Sequence, residues 1–224
     1  MKRPPFAVQA VLFDLDGTLV DSAPDLALAV ERMRASRQLA ALPLTRYRPH
    51  ASAGARGMIQ VAFGVSPDDL AYGELKQEFL LHYEQCLLHS TRCFDGVEEL
   101  LTRLASGLMP WGIVTNKAQR LTEPMLAGLP ALAGAGALVC GDTTPWAKPH
   151  PEPLLVAARR LGVSPDACIY VGDDERDIVA GREAGMFTVA ANYGYLGESG
   201  ETAHWGADAE VLSPLQVLNL LELP

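Results

Sequence analysis

Basic residues are scarce in this chain: Lys and Arg together number 18 against 27 Asp and Glu, for a formal charge of −9. A surface of that sign repels polyanions, which excludes nucleic acid and anionic membranes as partners; the only basic pair near an end is Lys2–Arg3. Cysteine is scarcer still. Cys86, Cys93, Cys140 and Cys168 show no CxxC spacing and no paired histidines, so neither a zinc site nor a disulfide framework is expected, and the four are read as reduced thiols of a cytoplasmic protein. Long uncharged apolar runs are missing too. The first apolar stretch is broken by Asp14 and Asp16 and lacks a small-residue cleavage site, so neither a signal peptide nor a membrane span is expected. Internal repeats and low-complexity segments are likewise absent from the sequence.

What remains is an ordinary globular composition, 49% hydrophobic and 20% charged over 224 residues. That length suffices for one large domain or one domain carrying an insert. Two patterns divide it. From Pro24 to about His89 the periodicity is helical: "PDLALAVERMRASRQLA" opens on Pro at a first-turn position, and "PDDLAYGELKQEFLLHYEQCLLH" places Leu70, Leu75, Phe79, Tyr83 and Leu87 on one face. From Phe94 onward, short apolar runs such as "WGIVTN", "ALVCG", "CIYVGD" and "FTVAA" alternate with amphipathic segments, ending in a helix from Pro214. Alternation of this kind predicts a parallel sheet covered by helices on both faces. The stretch "GYLGESGETAHWGADAEVL" reads as a Gly-rich loop entering a short edge strand, with His204 and Trp205 as a packed loop anchor.

The first strand, "VLFDLDGTLVDS", belongs to the α/β pattern and ends on two acids, Asp14 and Asp16. In an open parallel sheet, ligands bind at the carboxyl ends of the strands. "IVTNK" delivers Thr115 and Asn116 to the same edge, and "YVGDDERD" delivers Asp173 and Asp174, with Asp177 one turn on. Carboxylates crowded there repel by about 4 kcal/mol per pair at ~4 Å and an effective dielectric near ~20. A hard divalent cation relieves this, and oxygen-only ligands favour Mg²⁺ over zinc. Taken singly, each piece has an ordinary structural explanation: a helix cap for the acids, a core hydroxyl for Thr115, a solvated loop for Lys148. The combination in register with the sheet is what carries chemistry.

"DLDGTLVDS", "VTN", "KPHPEPL" and "GDDERD" resemble the four motifs of the haloacid dehalogenase (HAD) superfamily of phosphatases. Within it the likeness is to phosphoglycolate phosphatases, and "SAGARGMI", "WGIVTNK" and "HWGADA" are similar to the branch acting on N-acetylmuramic acid 6-phosphate. The resemblance implies a doubly wound parallel-sheet α/β core, residues 1–21 and 94–224, with an inserted small α-helical cap, residues 22–93. It implies an Mg²⁺-dependent phosphomonoester hydrolase of a small phosphorylated metabolite. Asp14 is then the nucleophile that forms an aspartyl-phosphate, and Asp16 the acid and base, its backbone carbonyl also contacting the metal. Thr115 and Lys148 hold the phosphoryl group, Asn116 adds a backbone donor, Asp173 ligates the metal, and Asp177 ligates it or orients its water. Gly17 permits the sharp turn after Asp16 and Thr18 fixes it. Asp174 departs from the small or neutral residue of many relatives, leaving open which acid touches the metal. Arg56 of the insert is the candidate partner for a substrate carboxylate, against the plainer reading of a solvated residue at a helix start. Asp16 argues against carbon–halogen cleavage, in which no leaving group needs a proton. Two alternatives stay open: a sugar-phosphate mutase of the same superfamily, and a phosphoacceptor signalling module built on a similar sheet.

Overall fold

The computed structural model describes residues 3–197 and 200–221. In chain order the elements are β1 (Ala10–Phe13), β2 (Val20–Asp21), α1 (Ala23–Ser36), α2 (Leu44–Tyr47), α3 (Ala55–Phe63), α4 (Tyr72–Cys86), β3 (Arg92–Cys93), α5 (Val97–Ser106), β4 (Trp111–Val114), α6 (Gln119–Gly128), β5 (Ala137–Val139), α7 (Glu152–Leu161), β6 (Cys168–Gly172), α8 (Glu175–Glu183), β7 (Phe187–Ala191) and β8 (Ala209–Val211). Six of the strands form one sheet in the order β5-β4-β1-β6-β7-β8, parallel throughout.

Each residue of β1 is buried because the sheet is covered on both faces. Val11 and Phe13 point to one face, where they meet Ile113, Ile169, Val171 and Val189 under α5. Ala10 and Leu12 point to the other, among Val114, Tyr170 and residues of α7 and α8. α5 earns its place through Val97, Leu100, Leu101 and Leu104, a stripe spaced for a helix face, each fully buried leucine contributing about 1.5–3 kcal/mol. α7 presents Leu154, Ala157 and Ala158 and ends where Gly162 takes up φ +71°, a conformation that favours glycine.

Helices α1 to α4 bury a second apolar set against one another, including Val30, Met33, Tyr47, Met58, Ile59, Phe79 and Tyr83. The chain enters and leaves this block side by side, because β2 and β3 pair antiparallel, Val20 with Cys93 and Asp21 with Arg92. Asp25 in α1 fastens the return passage. Fully buried, it accepts from Ser90 N (2.8 Å), Thr91 N (2.9 Å) and Thr91 Oγ1 (2.6 Å). At the start of α1, where helical N–H groups lack partners, the hydroxyl of Tyr195 receives Ser22 N (2.8 Å) and Ala23 N (3.0 Å) from across the molecule.

The structure differs from the pattern-based reading in a few places. α4 starts at Tyr72, five residues after Pro67, and Leu70 is fully exposed. The Asp69 carboxylate accepts from Ser66 N (2.6 Å) and Ser66 Oγ (2.9 Å), and this local turn outcompetes helix there. Leu87 lies past the helix end. The two-residue strands β2 and β3 were not foreseen, since so short a strand has no periodicity. The segment from Pro214 is a 3₁₀ helix, Pro214–Leu220, not an α-helix. The Gly-rich loop does lead into edge strand β8, although Glu198 and Ser199 within it, like Lys2 of the basic pair, lie outside the described residues. Trp205 of that loop is buried near Ile178 and Ala190. All four cysteines are free, and among the described residues no helix is long and apolar enough to cross a membrane.

Candidate active site

From β1 the chain builds outward through β4 and β5, then crosses to β6 and builds the other way through β7 and β8. A crevice opens at the carboxyl ends of the strands where the direction reverses. Asp14 follows β1, Thr115 follows β4 and Asp173 follows β6, with Asp177 in the first turn of α8. The structure brings Asp14, Asp173 and Asp177 together, buried, with one carboxylate oxygen of each within 4.8 Å of the others.

Lys148 reaches this cluster from the loop beyond β5 and is itself buried. Its Nζ stands 2.7 Å from Asp14 Oδ1 and 2.7 Å from Asp177 Oδ1, with Val114 O at 2.9 Å and the Tyr170 hydroxyl at 2.8 Å. The loop holds its shape because the Asn116 side chain brackets the Lys148 backbone: Lys148 N donates to Asn116 Oδ1 and Asn116 Nδ2 donates to Lys148 O, both at 2.9 Å. Asn116 thus uses its amide side chain on the chain itself. Tyr170, from the middle of β6, was not singled out in the sequence. A tyrosine inside the apolar run "CIYVG" is the available signal, since a buried phenol needs a polar partner.

Burial dominates the electrostatics. It pushes the Asp14 carboxyl up to about 7, Lys148 pulling it down and Asp177 pushing it further up. Asp173 is held well above the carboxylate range by burial and then by Asp14 and Asp177. Burial also works against the charge on Lys148, but the two carboxylates beside it outweigh this and raise its pKa.

Asp173 is fixed from three directions: Thr18 Oγ1 donates to Oδ1 (3.1 Å), and Ser52 Oγ and Tyr195 N donate to Oδ2 (both 2.9 Å). Thr18 therefore braces an acid across the site. Gly17 adopts φ +91°, and a Cβ on it would fall 2.1 Å from Asp173 Oδ2, so glycine is required there for both reasons. Asp174 has other work. Its side chain caps α8 through Arg176 N in a reciprocal box with Asp177, and it pairs with Arg176 through Nε (2.7 Å) and Nη2 (2.8 Å). It stands outside the carboxylate cluster.

The Asp16 carboxylate also stands apart from the cluster. It accepts from the Ser22 hydroxyl, and both its oxygens lie 3.0 Å from Lys117 Nζ. Lys117, directly after the Thr115–Asn116 pair, was not foreseen as a site residue. Thr115 is buried, and its Oγ1 accepts from Lys117 N (3.1 Å), which leaves the hydroxyl proton free to point elsewhere.

Between the helical block and the strand ends lies a cavity of about 410 Å³. Asp14, Asp16, Thr115 and Lys148 line its floor, and Arg56, Tyr72, Lys76 and Phe79 its roof. Arg56 and Lys76 are exposed and have no ion-pair partner among the described residues.

The donor set fits a hard divalent cation. Three buried carboxyl groups share one ammonium, so ionising all three would leave two negative charges uncompensated, which a divalent cation would balance. Buried Asp14 Oδ1 has an ionic neighbour in Lys148 but no aligned hydrogen bond. All three candidate ligands are oxygens.

The family model of haloacid dehalogenase-like hydrolases matches residues 11–191. An N-acetylmuramic acid 6-phosphate phosphatase of Pseudomonas aeruginosa is 42% identical over 222 residues, 99% of this chain and 97% of that one. A phosphoglycolate phosphatase of Xanthomonas campestris pv. campestris is 47% identical over 209 residues, 93% of this chain and 94% of its own. A crystal structure from Haemophilus somnus 129pt, described as a predicted phosphoglycolate phosphatase, superposes with a TM-score of 0.83 at 26% identity, covering 96% of this chain and 99% of that one.

Proposed function

The chain belongs to the haloacid dehalogenase-like hydrolase family, as a phosphatase, and from that premise we propose that it is an Mg²⁺-dependent phosphomonoester hydrolase working through an aspartyl-phosphate on Asp14. The observation that carries this is the buried Asp14–Asp173–Asp177 cluster sharing one lysine at the strand ends. Asp14 and the Asp173–Asp177 pair would hold the cation, which when bound screens the nucleophile from the phosphate dianion. Without it, burial keeps much of Asp14 protonated near neutrality, and a protonated carboxyl does not attack phosphorus.

In this reading an Asp14 oxygen bonds to phosphorus as the ester oxygen leaves. Asp16, protonated, gives its proton to that oxygen, and as carboxylate it then takes one from the water that attacks the acyl-phosphate. Lys148 and the free proton of Thr115 meet the phosphoryl oxygens. The helical block, residues 22–93, acts as a cap over the floor, and Arg56 receives a carboxylate on the substrate.

The relatives' names offer two substrates, phosphoglycolate and N-acetylmuramic acid 6-phosphate, and both carry a carboxylate beside the phosphate. A roof with Phe79, Leu80 and Tyr72 and a cavity of about 410 Å³ suit the bulkier sugar acid. Phosphate release is to be measured across a panel holding both compounds, hexose phosphates and nucleoside monophosphates, with Mg²⁺ and after chelation. We expect kcat/KM for the sugar acid to exceed that for phosphoglycolate by at least about tenfold, with turnover lost on chelation and restored by Mg²⁺. Preference for phosphoglycolate overturns the substrate assignment; undiminished turnover after exhaustive chelation overturns the mechanism.

A further inference from the structure

We infer that Lys117 is a positioning residue that aims the Asp16 carboxyl, and that Tyr83 of α4 ties this aim to the seating of the helical block. The inference rests on the reading of Asp16 as acid and base.

The stem of Lys117 is fixed at both backbone atoms: its N donates to Thr115 Oγ1 (3.1 Å) and its O accepts from Gly141 N (2.9 Å). Its side chain is only 7% exposed, and the ammonium has three acceptors, the two Asp16 oxygens at 3.0 Å and the Tyr83 hydroxyl at 2.9 Å. Contact with both oxygens sets the plane of the carboxyl, a constraint that a single hydrogen bond does not impose. Ser22, six residues beyond Asp16, grips the same group. Tyr83 is rigid in turn, stacked on Phe79 with centroids 6.0 Å apart and planes within 8°. A cation this deep in the protein costs stability unless its partners are fixed, and here one partner is the acid and the other belongs to the roof. Moving the roof withdraws Tyr83 and removes one of the three acceptors that hold the ammonium, so the aim is complete only while the block is seated.

A plain structural latch between block and sheet makes a different prediction. Loss of a latch loosens the roof for every substrate alike, whereas loss of the aim harms only leaving groups that need a proton. kcat/KM reports the step in which that group departs, so the comparison is between an alkyl and an aryl phosphate. Lys117→Met should lower kcat/KM about 100-fold on the alkyl phosphate and about threefold or less on the aryl one. In an Asp16→Asn background the same substitution should add less than about threefold on the alkyl phosphate, because Lys117 acts through Asp16. Equal losses on both substrates, or an undiminished penalty in the Asp16→Asn background, overturns the inference. So does wild-type alkyl turnover by Lys117→Met when Asp16→Asn is inactive. Full alkyl turnover by Asp16→Asn itself would instead remove the acid–base role. Should Lys117→Met not fold, Tyr83→Phe, which keeps the ring stack, carries the test. A roughly fivefold loss confined to the alkyl phosphate supports the inference, and an equal loss on both refutes it.

Discussion

The floor and the roof of the cavity are made of the same kinds of side chain, held in opposite ways. On the floor Asp173, Asp177 and Lys148 are buried and each is tied by several partners. On the roof Arg56 and Lys76 are exposed and unpaired among the described residues. A buried, multiply bonded charge does not reorganise when the reaction moves charge, which is where a fixed environment lowers a barrier. An exposed cation keeps its water until a ligand displaces it, so it discriminates between ligands and adds little to bond breaking. On the proposed function, the contrast places the chemistry on the floor and the choice of substrate on the roof.

The sharpest way to break this contrast is Asp14→Asn. The substitution keeps the volume and removes the proposed nucleophile, so phosphate release should fall to background while the thermal midpoint is retained. Turnover like the wild type from cleanly purified protein would take the chemistry away from β1. Next in size is Lys148→Ala. Removing one preorganised donor and counter-charge should lower kcat by about 10²–10³-fold on alkyl and aryl phosphates alike, as read from steady-state rates at saturating Mg²⁺. A loss below about tenfold would place Lys148 with the loosely held cations of the roof. Smallest is Arg56→Ala, which tests the roof. It should raise KM for the carboxylate-bearing substrate, lowering kcat/KM by about 10- to 150-fold, the effect of about 1.5–3 kcal/mol from a charged hydrogen bond, with little change on an aryl phosphate. Kinetics on the two substrates decide it, and an unchanged preference for the carboxylate would sink the contact.

Much of the floor was legible in the sequence because strand ends are local features: an apolar run stops, and the next residue faces the crevice. Asp14, Thr115 and Asp173 were found that way. Lys148 needed the resemblance, since nothing in "AKPHP" says that the lysine turns inward. Lys117 and Tyr170 escaped notice because their roles depend on partners far along the chain, Asp16 and Tyr83 for one, Lys148 and Val114 for the other. Thr18 was expected to fix its own turn and Asn116 to offer a backbone donor, whereas the fold spends their side chains on Asp173 and Lys148. The helices of the roof were readable from their period, except where α1 stops at Ser36, short of the Ala40 to which the pattern runs, and where Asp69 closes a turn that the period ignores.

The pairing of β2 with β3 has a consequence for how such a molecule can change. Because Val20 lies beside Cys93 and Asp21 beside Arg92, the intervening seventy-odd residues start and finish side by side, as an inserted module does. None of these residues contributes a strand to the main sheet, whose order and register are set by the rest of the chain. A lineage that trades one roof for another at that spot keeps the sheet and most of the floor, and has to replace only the few braces that the block itself supplies, Ser52 on Asp173 and Tyr83 on Lys117.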